Sequence, residues 1–224
     1  MNVQHVLPSD IEKTSLSIIE SRLEEMGVDI PEENLAVVKR VIHTTADFDY
    51  VNNMAFTDNA VKRIIEILHE GGVKFVTDTT MALSGISKPS LAKLNATAEC
   101  FVANETVIRN AKDEGCTRSA AAVSYAAHKY DNAAFVSGNA PTCLLRLVEL
   151  REEGYRPAFV IGVPVGFVNV VESKVEIMAI CKQYDVPAIV AMGQKGGRNV
   201  AASICNAILY TACDTLDPKS RGWL

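Results

Sequence analysis

Residues 133–153 of the sequence, AAFVSGNAPTCLLRLVELREE, contain the pattern that decides the fold. The run Ala133–Ser137 is short and apolar without strong alternation, which is typical of a strand covered on both faces. A turn-forming segment, Gly138–Thr142, follows it, and Thr142–Glu153 then reads as a helix. This order of buried strand, loop and helix predicts one unit of a parallel α/β sheet.

The same order recurs on both sides of this stretch. Further strands are predicted at Val73–Thr77, Cys100–Ala103, Ala158–Gly162 and Ala188–Met192. Further helices are predicted at Asp58–Glu70, Glu105–Glu114, Arg118–Tyr130, Val171–Tyr184 and Gly197–Ala212. We therefore expect an α/β fold with a mostly parallel central sheet of about five strands, flanked by crossover helices.

The two ends of the chain differ from this pattern. Ile11–Met26 and Glu32–Ile42 read as an N-terminal helical segment, with Pro31 at the start of its second helix. Asp217–Leu224 contains Pro218 and Gly222 and is predicted to be a tail. No low-complexity linker or repeat divides the sequence, so we expect a single domain over residues 1–224.

The composition excludes several classes of protein. The 224 residues are 48% hydrophobic and carry 22 Lys and Arg against 27 Asp and Glu, a net charge of −5. This apolar content supports a folded core, and the acidic balance argues against a nucleic-acid binder. The first residues lack a signal-peptide pattern, and no apolar run reaches the roughly 20 residues of a membrane helix. Six cysteines without C-x-x-C spacing predict reduced thiols, no metal site and a cytoplasmic location.

The loops that follow the predicted strands are candidate ligand sites, because ligands of α/β sheets bind at the carboxyl ends of the strands. In the last of these loops, Lys195 and Arg198 flank the pair Gly196-Gly197 where a helix begins. Free N–H groups at a helix start attract anions, so anion binding is one interpretation. A plain strand-to-helix turn with solvated basic side chains is the other.

Three single residues have two readings each. Asp78 follows a predicted strand and either contacts a ligand or caps a helix. Arg118 near a helix start is unfavourable for the helix dipole, so it either faces an anion or is an ordinary surface side chain. His43 ends an apolar helix and is either a proton donor near neutral pH or a structural histidine.

Several segments match, in order along the chain, the motifs of one known family. They are Ile11–Ile19 (IEKTSLSII), Arg40–Thr45 (RVIHTT), Asp78–Met81 (DTTM), Gly138–Thr142 (GNAPT) and Gly162–Lys174 (GVPVGFVNVVESK). Together they resemble the precorrin-8X methylmutases, which shift a methyl group on the corrin ring in cobalamin biosynthesis. The last loop keeps the family's Lys-Gly-Gly centre but departs from its pattern at Gln194 and Arg198, and Asp47 is the secure match in the segment after His43.

The resemblance implies an isomerase that moves a methyl group from C-11 to C-12 of the ring and needs no cofactor, because the methyl group stays on the same molecule. His43 is then the catalytic proton donor, and Arg118 and Lys195 bind carboxylates of the substrate. The other implied substrate-binding residues are Ser15, Thr45, Asp78, Thr80, Thr142, Gly196 and Gly197.

The resemblance also implies partners. They are a tetrapyrrole substrate, metal-free or cobalt-bound, and a second copy of the chain in a homodimer. A non-catalytic protein that holds a corrinoid intermediate is the alternative of another class. The Gly-Gly loop taken alone would also fit an enzyme acting on a phosphosugar or nucleotide.

Overall fold

A central sheet of six strands organises the computed structural model, which describes residues 8–221. Residues 1–7 and 222–224 lie outside the described residues. The first range includes His5 and the start of the segment examined for a signal peptide, and the second is the end of the predicted tail. The strands are β1 (Met54–Phe56), β2 (Lys74–Thr77), β3 (Thr97–Glu99), β4 (Ala134–Ser137), β5 (Val160–Gly162) and β6 (Ala188–Ala191). The α-helices are α1 (Pro8–Glu25), α2 (Glu32–Thr45), α3 (Tyr50–Asn53), α4 (Ala60–Glu70), α5 (Thr80–Gly85), α6 (Lys88–Lys93), α7 (Glu105–Asp113), α8 (Arg118–Lys129), α9 (Pro141–Glu152), α10 (Val170–Gln183) and α11 (Arg198–Ala212). A 3₁₀ helix, Pro218–Arg221, follows them.

The strand order is β1-β6-β5-β4-β2-β3, and only β1 runs antiparallel to its neighbour. The mostly parallel sheet expected from the sequence is confirmed. The chain runs from β2 outward to β3 and then returns to β4 on the other side of β2. The carboxyl ends of β2 and β4 therefore form the crevice where open α/β sheets bind ligands.

The sheet is covered on both faces, which explains the apolar strands. Along β4, Ala134 and Val136 face one core cluster and Phe135 faces the other, as the two-residue period of a strand requires. The first cluster lies against α2, α4 and α11, and the second lies against α8, α9 and α10.

Two strands differ from the sequence prediction because both lie at the edges of the sheet. The strand β1, which has only three partly buried residues, was missed. The predicted strand at Cys100–Ala103 is wrong, because the strand is Thr97–Glu99 and residues 100–103 form the turn before α7. The apolar signal came from Phe101, whose ring packs 5.1 Å from that of Tyr125 on α8.

The N-terminal segment is helical, as predicted, and its apolar residues join the first core cluster. The helix α1 packs on α2, and α2 packs on α11. The prediction of a tail is wrong for residues 218–221, because this 3₁₀ helix packs against α1 and the Arg221 side chain is only 7% exposed. In residues 8–221, no helix has the length and apolar character to cross a membrane.

Candidate active site

His43 and Ser15 form a hydrogen-bonded pair between two helices. Ser15 lies in the middle of α1 and His43 in the last turn of α2, and the Ser15 Oγ is 2.8 Å from the His43 Nδ1. The helix α2 ends directly after this turn because Ala46 adopts a left-handed conformation, with φ of 55°. No other hydrogen bond of the His43 ring is found within residues 8–221, so Nε2 is available to a ligand.

The pair lies in a cleft of about 590 Å³ whose walls are mostly apolar. The cleft is lined by Ile11, Thr14, Ser15, Ile18, Ile19, Arg22, Ile42, His43, Ala46 and Phe48. Ile11, Ser15, Ile18 and Arg22 follow one face of α1 at helical spacing. A flat apolar ligand with polar groups at its edge fits this combination of walls and polar side chains.

Burial keeps the pKa of His43 below its usual value, because the charged ring is poorly solvated in the cleft. The nearby Arg40 and Arg221 guanidinium groups lower the pKa further, whereas the Glu12 carboxylate raises it. The imidazole is therefore mainly neutral at pH 7. A neutral ring carries one proton and can donate one hydrogen bond.

Arg22 is a residue of the cleft that the sequence analysis missed. Its guanidinium lies 4.3 Å from the centre of the Phe48 ring and has no carboxylate partner among the described residues. A cation held against an aromatic ring at the rim of an apolar cleft is suited to a ligand carboxylate. The only sequence signal was its place on the face of α1 that carries Ser15.

Lys195 lies beside the segment that follows His43, but as one member of an ion-pair network. Its Nζ donates to Asp47 Oδ2 and Asp49 Oδ2, each at 2.6 Å. The bond from Lys195 holds the pKa of Asp47 below its usual value, and both carboxylates raise the pKa of Lys195. The lysine thus joins the β6–α11 loop to the end of α2, and two carboxylates already neutralise its charge. Lys195 is 148 positions from Asp47 and 146 from Asp49 in sequence, so no local pattern shows the pairing.

Packing explains why residues 196 and 197 are glycines. A Cβ on Gly196 would overlap the carbonyl group of Val163 and lie 2.6 Å from the Pro164 oxygen. Gly197 has a φ of 137°, which favours glycine, and its N–H donates to the Val163 oxygen at 2.8 Å. The pair lets this loop lie directly on the loop after β5. The two glycines therefore have a packing role that does not depend on an anion.

Asp78 does not cap the helix that follows it but binds a neighbouring loop. Its carboxylate is buried and accepts bonds from the backbone N–H groups of Gly138, Asn139 and Ala140 at 2.7–2.9 Å. The Ser137 hydroxyl also donates to it, at 3.4 Å. Burial raises the pKa of Asp78 and these bonds oppose that rise. Asp78 therefore fixes the loop after β4 across the crevice, while Thr79 caps α5.

The remaining predicted residues serve local structure or stay exposed. The Thr45 hydroxyl donates to the Val41 oxygen at 2.8 Å and accepts from the Asp47 N–H at 3.2 Å. The Thr142 hydroxyl lies 2.8 Å from that of Thr117, beside a second cleft of about 630 Å³. Arg118 is exposed at the start of α8, and Thr80 is exposed at the start of α5.

Arg198 connects the loops at the sheet edge. Its guanidinium donates to the Asn139 side-chain oxygen at 2.6 Å and contacts the Met81 sulfur at 3.6 Å. Within residues 8–221, no group of three or more His, Cys, Asp or Glu side chains is arranged to hold a metal ion.

Fold and site together define a class: an α/β protein with a His–Ser pair in an apolar cleft beside its sheet. A sequence model of the family described as precorrin-8X methylmutase matches residues 10–211. The cobalt-precorrin-8 methylmutase of Salmonella typhimurium is 42% identical over 91% of this chain and 95% of its own length. The chain belongs to the precorrin-8X methylmutase family.

Two further comparisons agree with this membership. The precorrin-8X methylmutase of Pseudomonas aeruginosa is 32% identical over 88% of this chain and 93% of its own. A crystal structure of precorrin-8X methyl mutase from Thermus thermophilus superposes with a TM-score of 0.80 and 35% identity, over 91% of this chain and 98% of that one.

Proposed function

We propose that this protein is the isomerase that moves the methyl group of precorrin-8X, or of its cobalt form, from C-11 to C-12 in cobalamin biosynthesis. The product is hydrogenobyrinate or cobyrinate. The observation that carries the proposal is the Ser15–His43 pair, 2.8 Å apart, in an apolar cleft of about 590 Å³. We place the reaction in the cytoplasm.

His43 supplies the acid in this proposal. The Ser15 hydroxyl donates to Nδ1, which leaves the ring proton on Nε2, the nitrogen without a described partner. A hydrogen bond from Nε2 to the macrocycle, or a proton from the imidazolium form that returns the ring to neutral imidazole, favours the tautomer whose rearrangement extends conjugation. A positioned acid of this kind contributes about 10²–10⁴-fold to a rate.

Cations at the rim orient the substrate, which carries many carboxylates. Arg22 is the cation of the His43 cleft, whereas Arg118, at the start of α8, does not line that cleft and is a candidate for a more distant carboxylate. Lys195 serves through its ion pairs with Asp47 and Asp49, which hold the segment after His43. Orientation of a bound substrate lowers the entropic part of the barrier, because little motion remains to be lost in the transition state.

We further propose that the cobalt-bound form is the preferred substrate. The relatives from Salmonella typhimurium and Leptospira interrogans, both named cobalt-precorrin-8 methylmutase, are 42% and 40% identical to this chain. Those from Pseudomonas aeruginosa and a Sinorhizobium species, named precorrin-8X methylmutase, are 32% and 28% identical. Turnover of the two substrates by the same preparation gives the comparison directly.

We also propose that two copies of the chain form a homodimer. An apolar surface made by Phe167, Val168, Val171 and Val175 follows β5 and continues along α10. Phe167 is 86% exposed and Val168 76% exposed in the single chain. Contiguous exposed apolar side chains of this size are typical of a surface that a partner covers.

The decisive experiment is to mix the protein with cobalt-precorrin-8 and with precorrin-8X and to record the absorption change. In His43→Ala we expect turnover to fall by about 10²–10⁴-fold while binding of the product stays within about threefold. His128→Ala, which removes an exposed histidine of α8, is the matched control. A wild-type protein that binds the product but changes neither substrate would support the non-catalytic corrinoid binder. Normal turnover in His43→Ala would show that His43 is not the acid.

A further inference from the structure

A buried cluster of three charges lies next to the Ser15–His43 pair. Glu12 of α1 accepts from the Arg40 Nη2 of α2 at 2.7 Å. Arg221 of the C-terminal 3₁₀ helix approaches the same carboxylate with two bonds, from Nη1 at 3.0 Å and from Nη2 at 2.9 Å. Two cations therefore share one anion.

The cluster is rigidly held. The side chains of Glu12, Arg40 and Arg221 are 17%, 11% and 7% exposed. The Tyr210 ring of α11 lies 4.1 Å from the Arg221 guanidinium and 5.3 Å from that of Arg40. Arg221 also donates to the backbone oxygens of residues 215 and 216, at 2.8 and 2.6 Å. A charged group this well bonded is costly to displace, because its partners would be left buried and unpaired.

The cluster repeats the spacing of the active pair. Glu12 precedes Ser15 by three residues in α1, and Arg40 precedes His43 by three residues in α2. The Glu12–Arg40 and Ser15–His43 bonds therefore join neighbouring turns on the facing sides of α1 and α2. A slide or rotation of α1 against α2 that breaks the Glu12–Arg40 bond also separates Ser15 from His43.

We propose that Glu12, Arg40 and Arg221 are positioning residues that hold the Ser15–His43 pair in register and set the charge around it, so that the C-terminal 3₁₀ helix takes part in the reaction through His43. This inference rests on the proposed role of His43 as the acid.

The charges around His43 support this role. Glu12 favours the protonated ring, whereas Arg40 and Arg221 oppose it. Arg22 of α1 lines the same cleft, the Tyr210 phenol comes from α11, and Asp47 with Lys195 follows the end of α2. Removal of Arg221 leaves one cation against Glu12, while removal of the Glu12 charge leaves two cations without a counter-ion.

The test is an NMR titration of His43 in the full-length protein without substrate, together with the pH profile of turnover. The signal is assigned by its loss in His43→Ala. We expect Arg221→Gln to raise the pKa of His43 and Glu12→Gln to lower it, because the charges removed have opposite signs. Turnover in Arg221→Gln should fall about tenfold with KM within about twofold, and Arg221→Lys should recover most of it.

Arg63→Gln is the matched control, because it removes an Arg–carboxylate pair, to Asp185, that lies apart from this cluster. If Glu12→Gln does not fold, the Gln and Lys variants of Arg221 decide the question. Variants that lower the melting temperature but leave the titration and pH profile unchanged would show a purely structural cluster. An inactive wild-type protein whose His43 titration still responds would refute the proposed function and leave the positioning intact.

Discussion

Ser15 and His43 are 28 positions apart in sequence and 2.8 Å apart in the structure. The motif around His43 marked it as a candidate acid. Its electrostatic surroundings come from Glu12, Arg40 and Arg221, and Arg221 is supplied by the other end of the chain. Asp78 shows the opposite case: its type and place were noted, but its four donors come from a loop about 60 residues away. The sequence therefore indicated which residues to consider, but it did not show which groups each of them contacts.

Arg22 provides a test at this scale. In Arg22→Gln we expect the dissociation constant of hydrogenobyrinate to rise by about tenfold, because a charge-assisted bond to a carboxylate is lost at a partly solvated site. The effect should shrink as salt is added. Fluorescence or absorbance titration measures it, and Arg109→Gln on α7 is the matched control. An unchanged dissociation constant would place the substrate carboxylates elsewhere.

The loop between β6 and α11 shows how neighbouring elements set a local conformation. Gly196 lies on the Val163 and Pro164 carbonyl groups, and the Gly166 N–H donates to the Gln194 oxygen. Lys174 of α10 is completely buried, and its Nζ donates at 2.7 Å to the backbone oxygens of Gly193 and Lys195. The sequence could not show this packing, because a local glycine pair indicates flexibility but not which groups lie against it.

Lys174 predicts a pH dependence of stability. Burial lowers its pKa from 10.5 to about 8, so between these values the unfolded chain binds more protons than the folded one. The contribution of Lys174 to the free energy of unfolding should therefore increase as pH rises from about 8 to 10.5, and it should decrease again as pH falls. Denaturant titration across this range should show a gain on the order of 3 kcal/mol that Lys174→Met lacks.

The control for this measurement is Lys62→Met, which changes an exposed lysine of α4. Its stability should follow pH as the wild type does. Parallel curves for the wild type and Lys174→Met would mean that Lys174 does not titrate in this range.

At the scale of the whole molecule, three regions bear on the proposed function. The His43 cleft lies between α1 and α2, the crevice lies between β2 and β4, and the apolar surface follows β5. Lys195 links the first region to the sheet edge through Asp47 and Asp49. The net charge of −5 does not exclude an anionic substrate, because its binding depends on the local cations at the cleft rim.

The apolar surface predicts the oligomeric state. We expect the wild type to sediment as a dimer and Phe167→Asp as a monomer, because a buried unpaired carboxylate opposes association. The variant should keep its fold, since Phe167 is 86% exposed in the single chain. Analytical ultracentrifugation measures this, with Ile108→Asp on α7 as the matched control. A monomeric wild type, or a dimeric Phe167→Asp, would contradict the proposed interface.

The sequence by itself determined the α/β class, the four central strands and most long helices, because burial on both faces and helical periodicity produce local patterns of apolar residues. It also determined the family, through motifs in order along the chain. It did not determine the edge strands, whose residues are partly exposed, or the docking of residues 218–221. Only the tertiary structure decided that Lys195 pairs with two aspartates, that Asp78 holds a loop and that Arg22 joins the cleft. The physical reason is that hydrogen bonds and ion pairs act over a few ångströms in space, and the fold alone brings those distant positions together.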